Sequence, residues 1–199
     1  MQSARRDANG QALVAVLAGG RALRMGGAKA SVDLCGRPLI AYPLRAARDA
    51  GLDAVVVAKR ASALPPLDER VLYEPDSPGH PLCGVLAALR EGRPVLALGC
   101  DMPFVSAGLL AWLAAGEREP TVARLDGRVQ PLPALYRPED IPELERALAA
   151  EQSLRATLEG LCPRVVDERE LSAFGDPRRL CFSVNDARDL RTAGRWMAG

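Results

Sequence analysis

The sequence has few aromatic residues, almost no net charge and no long apolar run, and each absence excludes a class of protein. Aromatic residues make up 4% of the 199 residues, so the core must be built mainly from Ala, Val and Leu. The formal net charge is +1 and the arginines are scattered among acids, which argues against a nucleic-acid partner. No apolar run approaches the roughly 20 residues that a membrane span needs, so we expect no membrane contact.

The cysteines and the N-terminus indicate a protein of the reducing cytoplasm. The five cysteines are an odd number, widely spaced, and they include no Cys-x-x-Cys pair: Cys35, Cys83, Cys100, Cys162 and Cys181. This pattern argues against a disulfide framework and against a zinc site. Residues 1–10 are polar and charged, so we expect no signal peptide. We expect a flexible leader over residues 1–10 and a single domain over residues 11–199.

Apolar runs alternate with helix-like segments along the chain. Strands are expected at residues 12–17, 54–58, 71–73, 95–99, 121–124, 132–136 and 181–184. Helices are expected at residues 38–50, 84–90, 108–115, 142–150, 153–159 and 187–197. Such alternation is typical of parallel sheets with right-handed crossovers. It predicts an α/β fold, a three-layer α/β/α sandwich with a Rossmann-like, mostly parallel sheet.

The most informative segment follows the first strand and reads LAGGRALRMGGAK, from Leu17 to Lys29. Its glycines let backbone N–H groups approach an anion, and Arg24 and Lys29 supply charge for a polyphosphate. A glycine-rich turn with solvated cations is the alternative. Two standard phosphate loops are absent: Lys29 is followed by Ala30 rather than Ser or Thr, and no G-x-G-x-x-G occurs.

This segment fits the pattern L-A-G-G-x-x-x-R-M-G-G-x-K, and residues 36–39 (GRPL) follow it. The pattern resembles the signature of the MobA-like NTP transferases, a branch of the nucleotide-sugar pyrophosphorylase superfamily. It is most similar to the guanylyltransferases of molybdenum cofactor biosynthesis, because cytidylyltransferase relatives tend to carry Leu-Ala-Ala-Gly where this chain has Gly19-Gly20. The resemblance implies the fold of the nucleotide-diphospho-sugar transferases. It also implies nucleotide contacts from Leu17, Ala18, Gly19, Gly20 and Lys29.

Three further segments match the family in order. Residues 74–84 (EPDSPGHPLCG) resemble its Asp plus G-P-L-x-G element, residues 100–104 (CDMPF) its C-D-x-P-[FY], and residues 184–190 (VNDARDL) its N-T-P-E-D-L ending. The resemblance implies nucleotide contacts from Asp76, Gly84 and Asp101. It also implies an Mg²⁺ ion at Asp101 and Asn185, a hard ion that suits oxygen ligands. A helix cap is the alternative role for both residues.

The sequence departs from the family pattern in three places. Ala28 stands where an Asp often precedes the lysine, and Ala58-Lys59 stand where the guanylyltransferases often present an Asn. His80 lies inside the loop that helps to hold the base and ribose. None of these departures removes the lysine or the metal carboxylate, so they bear on the choice of base rather than on catalysis.

The activity that the resemblance implies is Mg²⁺-dependent transfer of GMP from GTP to Mo-molybdopterin, which gives molybdopterin guanine dinucleotide and pyrophosphate. Lys29, Arg24 and Asp101 are then the catalytic residues. GTP and Mo-molybdopterin are the expected partners, with a molybdoenzyme or its chaperone as a further one. The alternatives are a molybdopterin cytidylyltransferase, a phospholactate guanylyltransferase, a sugar nucleotidyltransferase and a non-catalytic GTP-binding paralogue.

Overall fold

The computed structural model describes residues 11–20, 29–116 and 120–198, and its strands form a large sheet and a small hairpin. The expected leader over residues 1–10 lies outside the described residues. The strands are β1 (Leu13–Leu17), β2 (Asp33–Leu34), β3 (Arg37–Pro38), β4 (Ala54–Ala58), β5 (Arg70–Tyr73), β6 (Val95–Gly99), β7 (Thr121–Leu125), β8 (Arg128–Tyr136) and β9 (Arg164–Val166). The helices are α1 (Ala41–Asp49), α2 (Pro81–Leu89), α3 (Ala107–Ala114), α4 (Ile141–Ala149), α5 (Leu154–Gly160), α6 (Glu168–Leu171), α7 (Pro177–Leu180) and α8 (Ala187–Ala198).

Seven strands form the large sheet, in the order β5-β4-β1-β6-β8-β7-β9. The strands β5, β4, β1 and β6 are parallel neighbours, and β9 is parallel to β7. Only β8 runs against its neighbours β6 and β7. The mostly parallel sheet predicted from the alternation is therefore confirmed. Its four parallel strands bring their carboxyl ends to one edge, where ligands bind in open α/β sheets.

Both faces of the sheet are covered by helices. Along β1, Val14 and Val16 belong to the apolar core shared with α1 and α3, whereas Leu13 and Ala15 belong to the core shared with α2, α4 and α5. These four side chains are buried to 2% exposure or less. A strand covered on both faces reads as a continuous apolar run, which is how β1 appears in the sequence. The predicted three-layer sandwich is confirmed.

A smaller aromatic cluster fixes the C-terminal helix. The Trp196 ring of α8 packs against Phe104 and Phe182, with ring centroids 5.5 and 4.8 Å away. Phe104 follows β6 closely, so the cluster joins α8 to the loop at the end of that strand. These three aromatic side chains thus hold the terminal helix against the loop that follows β6.

The strand predicted at residues 181–184 is wrong. Cys181 ends α7, and the amide of Val184 donates to the Asp101 carbonyl at 2.9 Å instead of joining a ladder. The end of the sheet beside β7 is occupied by β9, a three-residue strand that the sequence analysis did not predict. Within the described ranges, no helix is long and apolar enough to cross a membrane.

The second helix begins earlier than predicted. It was expected to start at Gly84, but α2 starts at Pro81 because the His80 side chain caps it. The Nδ1 atom of His80 accepts a hydrogen bond from the Leu82 amide at 3.2 Å, and proline suits the first helical position. Gly84 therefore lies at the end of the first helical turn, and His80, the departure in the base-side loop, serves as a helix cap.

Candidate active site

A cleft of about 760 Å³ opens at the carboxyl ends of β1, β4, β5 and β6. Most residues that the sequence analysis assigned to the nucleotide line this cleft: Leu17, Gly19, Gly20, Lys29, Asp76 and Asp101. Ala18 is buried beneath it, with its amide donating to the Val57 carbonyl at 2.7 Å. Arg24 lies outside the described residues. The structure thus gathers segments that are far apart in the sequence around one opening.

The centre of the cleft is a three-residue cluster. The ammonium of Lys29 donates a hydrogen bond to Oδ2 of Asp101 and another to Oδ1 of Asn185 at 3.0 Å. The side chains of Lys29 and Asp101 are 19% and 13% exposed, so water reaches this ion pair only partly. Asn185 does not line the cleft itself, but its amide oxygen meets the same ammonium group. All three residues were predicted for the site, and the structure brings them into contact.

Backbone contacts explain how Asp101 reaches this position. The Cys100 amide donates to the Leu17 carbonyl at 3.1 Å, which joins the ends of β1 and β6. A Cβ atom placed on Gly99 would overlap the Asp101 carboxylate, so only glycine at this position leaves room for it. Ser106, rather than Asp101, caps α3 by accepting the Leu109 amide at 3.3 Å. The capping alternative for Asp101 is therefore excluded.

Asn185 is placed by the residues around it. The bond from Val184 to the Asp101 carbonyl sets the two segments side by side. The Asn185 side-chain amide donates to the Ser183 carbonyl at 3.1 Å, which directs the other side-chain atom, the oxygen, towards Lys29. Asp186 accepts the first amides of α8 at 2.8 and 2.9 Å and so takes the capping role. The Asn185 oxygen therefore has no capping role and accepts the Lys29 ammonium beside Asp101.

Asp101 and Asn185 suit a magnesium ion in their chemistry. Both contribute hard oxygen donors, and Mg²⁺ is usually held by one or two protein oxygens together with phosphate oxygens and water. In the part of the chain that the structure describes, no group of three or more His, Cys, Asp or Glu side chains is arranged to hold a metal. The cluster therefore fits an ion that arrives with phosphate ligands, rather than one held by the protein alone.

The cleft contains a carboxylate that the sequence analysis did not select. Glu74 follows β5 directly, lines the cleft and accepts no hydrogen bond from any described residue. A Cβ atom on Gly19 would overlap its Oε1 atom, and one on Gly84 would lie 3.0 Å from its Oε2 atom. Burial raises the pKa of the Glu74 carboxyl, while the charge of Lys59 lowers it. A desolvated carboxylate without a protein donor is a candidate for ligand binding.

Lys59 is the second cation of the described cleft. It follows β4 directly, and its ammonium donates to the carbonyl of Asp76. This bond holds the loop after β5 through its main chain, and the carboxylate of Asp76 itself is exposed. Glu74 and Lys59 both stand at the first position after a parallel strand, and that position faces the ligand edge of the sheet. The strand ends in the sequence were the signal that could have identified them.

Gly84 has a different place from the one expected. It is buried behind the cleft wall, where an added Cβ would lie 2.9 Å from Leu17 Cδ2 as well as close to Glu74. It does not line the cleft, so any effect on a ligand passes through these two neighbours. The Cys100 thiol is likewise buried, which raises its pKa to about 12 and keeps it protonated and unreactive beneath the site.

Comparisons with known proteins show the family to which the chain belongs. A family model described as the MobA-like NTP transferase domain matches residues 14–167. A molybdenum cofactor guanylyltransferase of Pseudomonas putida is 39% identical over 183 residues, covering 84% of this chain and 94% of the relative. Another, from Rhizobium rhizogenes, is 32% identical over 198 residues, covering 92% of this chain and 91% of the relative.

A solved structure has the same architecture. Molybdopterin-guanine dinucleotide biosynthesis protein A from Archaeoglobus fulgidus superposes with a TM-score of 0.78. It is 26% identical in sequence, and the superposition covers 94% of this chain and 98% of that protein. The structural similarity therefore extends over nearly the whole of both chains.

Proposed function

Because the chain belongs to the MobA-like NTP transferase family and is a nucleotidyltransferase, we propose that it transfers GMP from GTP to Mo-molybdopterin, forming molybdopterin guanine dinucleotide and pyrophosphate. One observation carries this proposal. The lysine, the carboxylate and the amide oxygen expected for such a reaction meet at the carboxyl ends of parallel strands, in a cleft that also holds an unpaired acid.

The proposed reaction needs no nucleophile from the protein. The terminal phosphate of the acceptor is already largely anionic near pH 7, and it attacks the α-phosphorus of GTP in line with the departing pyrophosphate. A new P–O bond forms to the acceptor as the bond to the β-phosphate oxygen breaks. Catalysis then rests on positioning the two phosphates and neutralising their charge.

Asp101 and Asn185 would hold a magnesium ion, and the ion would supply charge neutralisation at the phosphate oxygens. Lys29 would contact the triphosphate, together with the backbone amides of Gly19 and Gly20 at the end of β1. Arg24 remains a proposed second cation for the pyrophosphate. Asp101 and Asn185 are placed by backbone contacts before the substrates bind, as electrostatic catalysis requires.

Glu74 supports the choice of guanine. The Watson–Crick edge of guanine presents two adjacent donors, N1–H and the N2 amino group, and a carboxylate accepts two such donors at once. Cytosine offers only one donor on the same edge. A half-buried carboxylate with no protein donor therefore favours GTP over CTP. Asp76, whose carboxylate is exposed, contributes at the rim.

The location and the further partner follow from the same proposal. The cytoplasm is the compartment we propose, since all five cysteines lie in the described ranges and all are free thiols. A molybdoenzyme or its chaperone would receive the product.

The experiment that tests the proposal is a pyrophosphate-release assay with each of the four NTPs and Mg²⁺, with and without Mo-molybdopterin. Of the four NTPs, we expect only GTP to give pyrophosphate release, and only when Mo-molybdopterin is present. Pyrophosphate release with CTP rather than GTP would show that the proposed base is wrong, but the proposed mechanism would still apply. Tight GTP binding without release under any condition would indicate the non-catalytic paralogue.

A further inference from the structure

Lys29 is bonded to both residues that are assigned to the metal. Its single ammonium group bonds Oδ2 of Asp101 and lies 3.0 Å from Oδ1 of Asn185, so it bridges the carboxylate and the amide. Asn185 is bound to Lys29 through the same atom that would face a metal ion. The lysine thus stands between the two donors rather than beside them.

An ammonium and a divalent cation at this place exclude one another. They would compete for the Asp101 carboxylate and for the Asn185 oxygen, and two cations a few ångströms apart repel strongly in a partly desolvated site. Because water reaches the side chains only partly, at 19% exposure for Lys29 and 13% for Asp101, solvent screens this repulsion poorly.

We propose that Lys29 competes with the divalent cation for Asp101 and Asn185, so that the cleft binds free metal weakly and accepts it together with a triphosphate. The lysine holds the two ligands together in the empty cleft. When a triphosphate enters, its oxygens offer the ammonium another partner, and Asp101 and Asn185 become free for the ion. The second step rests on the proposed function, whereas the competition itself does not.

The cleft offers a matched control for this idea. Lys59 is also a cation of the cleft, but its ammonium is bound to the Asp76 carbonyl and contacts neither Asp101 nor Asn185. Removing the charge of Lys59 lowers the positive potential of the cleft without freeing the metal ligands. Removing the charge of Lys29 does both.

The test measures Mn²⁺ binding to the nucleotide-free protein by electron paramagnetic resonance, for the wild type, Lys29→Met and Lys59→Met. Mn²⁺ is used because it accepts the same oxygen ligands as Mg²⁺. We expect Lys29→Met to bind Mn²⁺ about ten-fold more tightly than the wild type or better, since a charge bound to both ligands is lost. Lys59→Met should change the affinity by less than about two-fold. If Lys29→Met is poorly folded, the polar variant Lys29→Gln replaces it. Adding Asp101→Asn to Lys29→Met or to Lys29→Gln should abolish the gain in Mn²⁺ affinity.

Equal gains for the two lysine variants would overturn the proposal, because general charge would then explain the effect. So would an unchanged or weaker affinity in Lys29→Met, or no Mn²⁺ binding in any variant. A second arm measures Mg²⁺–GTP binding, where Lys29→Met should be weaker than the wild type. If Lys29→Met binds Mn²⁺ more tightly but binds Mg²⁺–GTP as the wild type does, the competition for the metal ligands is supported. The proposed contact between Lys29 and the triphosphate is then wrong.

Discussion

Replacing Glu74 with Gln should make the protein more stable and less active. The Glu74 carboxylate is half-buried, accepts no hydrogen bond from a described residue, and has its pKa raised by burial. The Glu74 oxygens are not among the buried side-chain atoms that lack a partner, so partial desolvation of the carboxylate costs at most about 1 kcal/mol, the lower end of the range of about 1–3 kcal/mol for a fully buried unsatisfied group. For a domain of this size, removing that cost raises the Tm by at most about 2–4 °C.

The gain in stability should depend on pH in a defined direction. A carboxyl whose pKa is raised in the folded state favours folding when it is protonated and opposes it when it is ionised. The advantage of Glu74→Gln should therefore be absent below the ordinary value of 4.5 and grow as the pH rises through the raised pKa. Urea unfolding of both proteins between pH 5 and pH 8 measures this trend.

Activity should fall because Gln keeps the shape but loses the paired acceptors. Its amide oxygen accepts one guanine donor, and its NH₂ group faces the other. A site that hydrogen-bonds a substrate group can discriminate by 10⁴-fold, and losing one of two bonds to a charged acceptor should lower kcat/KM for GTP by about 10²-fold. With ITP, which lacks the N2 amino group, kcat/KM of the wild type and of Glu74→Gln should differ less than with GTP.

Asp76→Asn is the matched control, since Asp76 lines the same cleft but its carboxylate is exposed and Lys59 binds only its carbonyl. We expect it to lower kcat/KM less than ten-fold and to leave the Tm unchanged. If Asp76→Asn costs more activity than Glu74→Gln, or if Glu74→Gln lowers stability at pH 8, the reasoning from burial is refuted.

Three further predictions concern the same region. Asp101→Ala should lower kcat by about 10²-fold or more with an unchanged circular dichroism spectrum, and a near-normal rate with Mg²⁺ would contradict the metal assignment. Gly84→Ala should change the free energy of unfolding in urea by less than about 1 kcal/mol, because the new Cβ meets only the ends of two flexible side chains, Leu17 Cδ2 at 2.9 Å and Glu74 Oε2 at 3.0 Å, and alanine is the better helix former; a loss above about 2 kcal/mol would show that the cleft wall cannot adjust. Burial raises the pKa of Cys100 to about 12, so iodoacetamide at pH 8 should label the two exposed cysteines and spare it, and mass spectrometry detects any label on Cys100.

The sequence predicted the fold well where strands are buried on both faces. The strands β1, β4 and β6 are continuous apolar runs, and their bounds were predicted within one residue. The strand β9 was missed because its three residues carry no period that distinguishes them from a loop. Residues 181–184 resemble a strand in the sequence because Phe182 and Val184 alternate with smaller residues. In the structure, Phe182 instead packs in the aromatic cluster, and the Val184 amide donates to the Asp101 carbonyl.

The site residues were predicted from family motifs, and the prediction missed residues at positions that the motifs do not specify. Lys29, Asp101 and Asn185 carried family patterns, and the structure brings them into contact. Glu74 stood inside a matched segment, yet the neighbouring Asp76 was selected because the family presents an aspartate there. Nothing local in the sequence separates the two acids. What separates them is burial, which depends on Gly19 and Gly84 in other elements.

The glycines of the cleft have a role that the phosphate-loop interpretation does not include. Gly19 and Gly84 leave space for the Glu74 carboxylate, and Gly99 leaves space for that of Asp101. Each of these acids is accommodated by the absence of a side chain, at Gly19 in the segment after β1, at Gly84 in α2 or at Gly99 at the end of β6. Substituting such a glycine with alanine therefore displaces an acid before it blocks any phosphate. A loss of activity in Gly19→Ala would not by itself identify a backbone contact to nucleotide. If the acid is the cause, adding Gly19→Ala to Glu74→Gln should cost less activity than adding it to the wild type, because that carboxylate has already been removed.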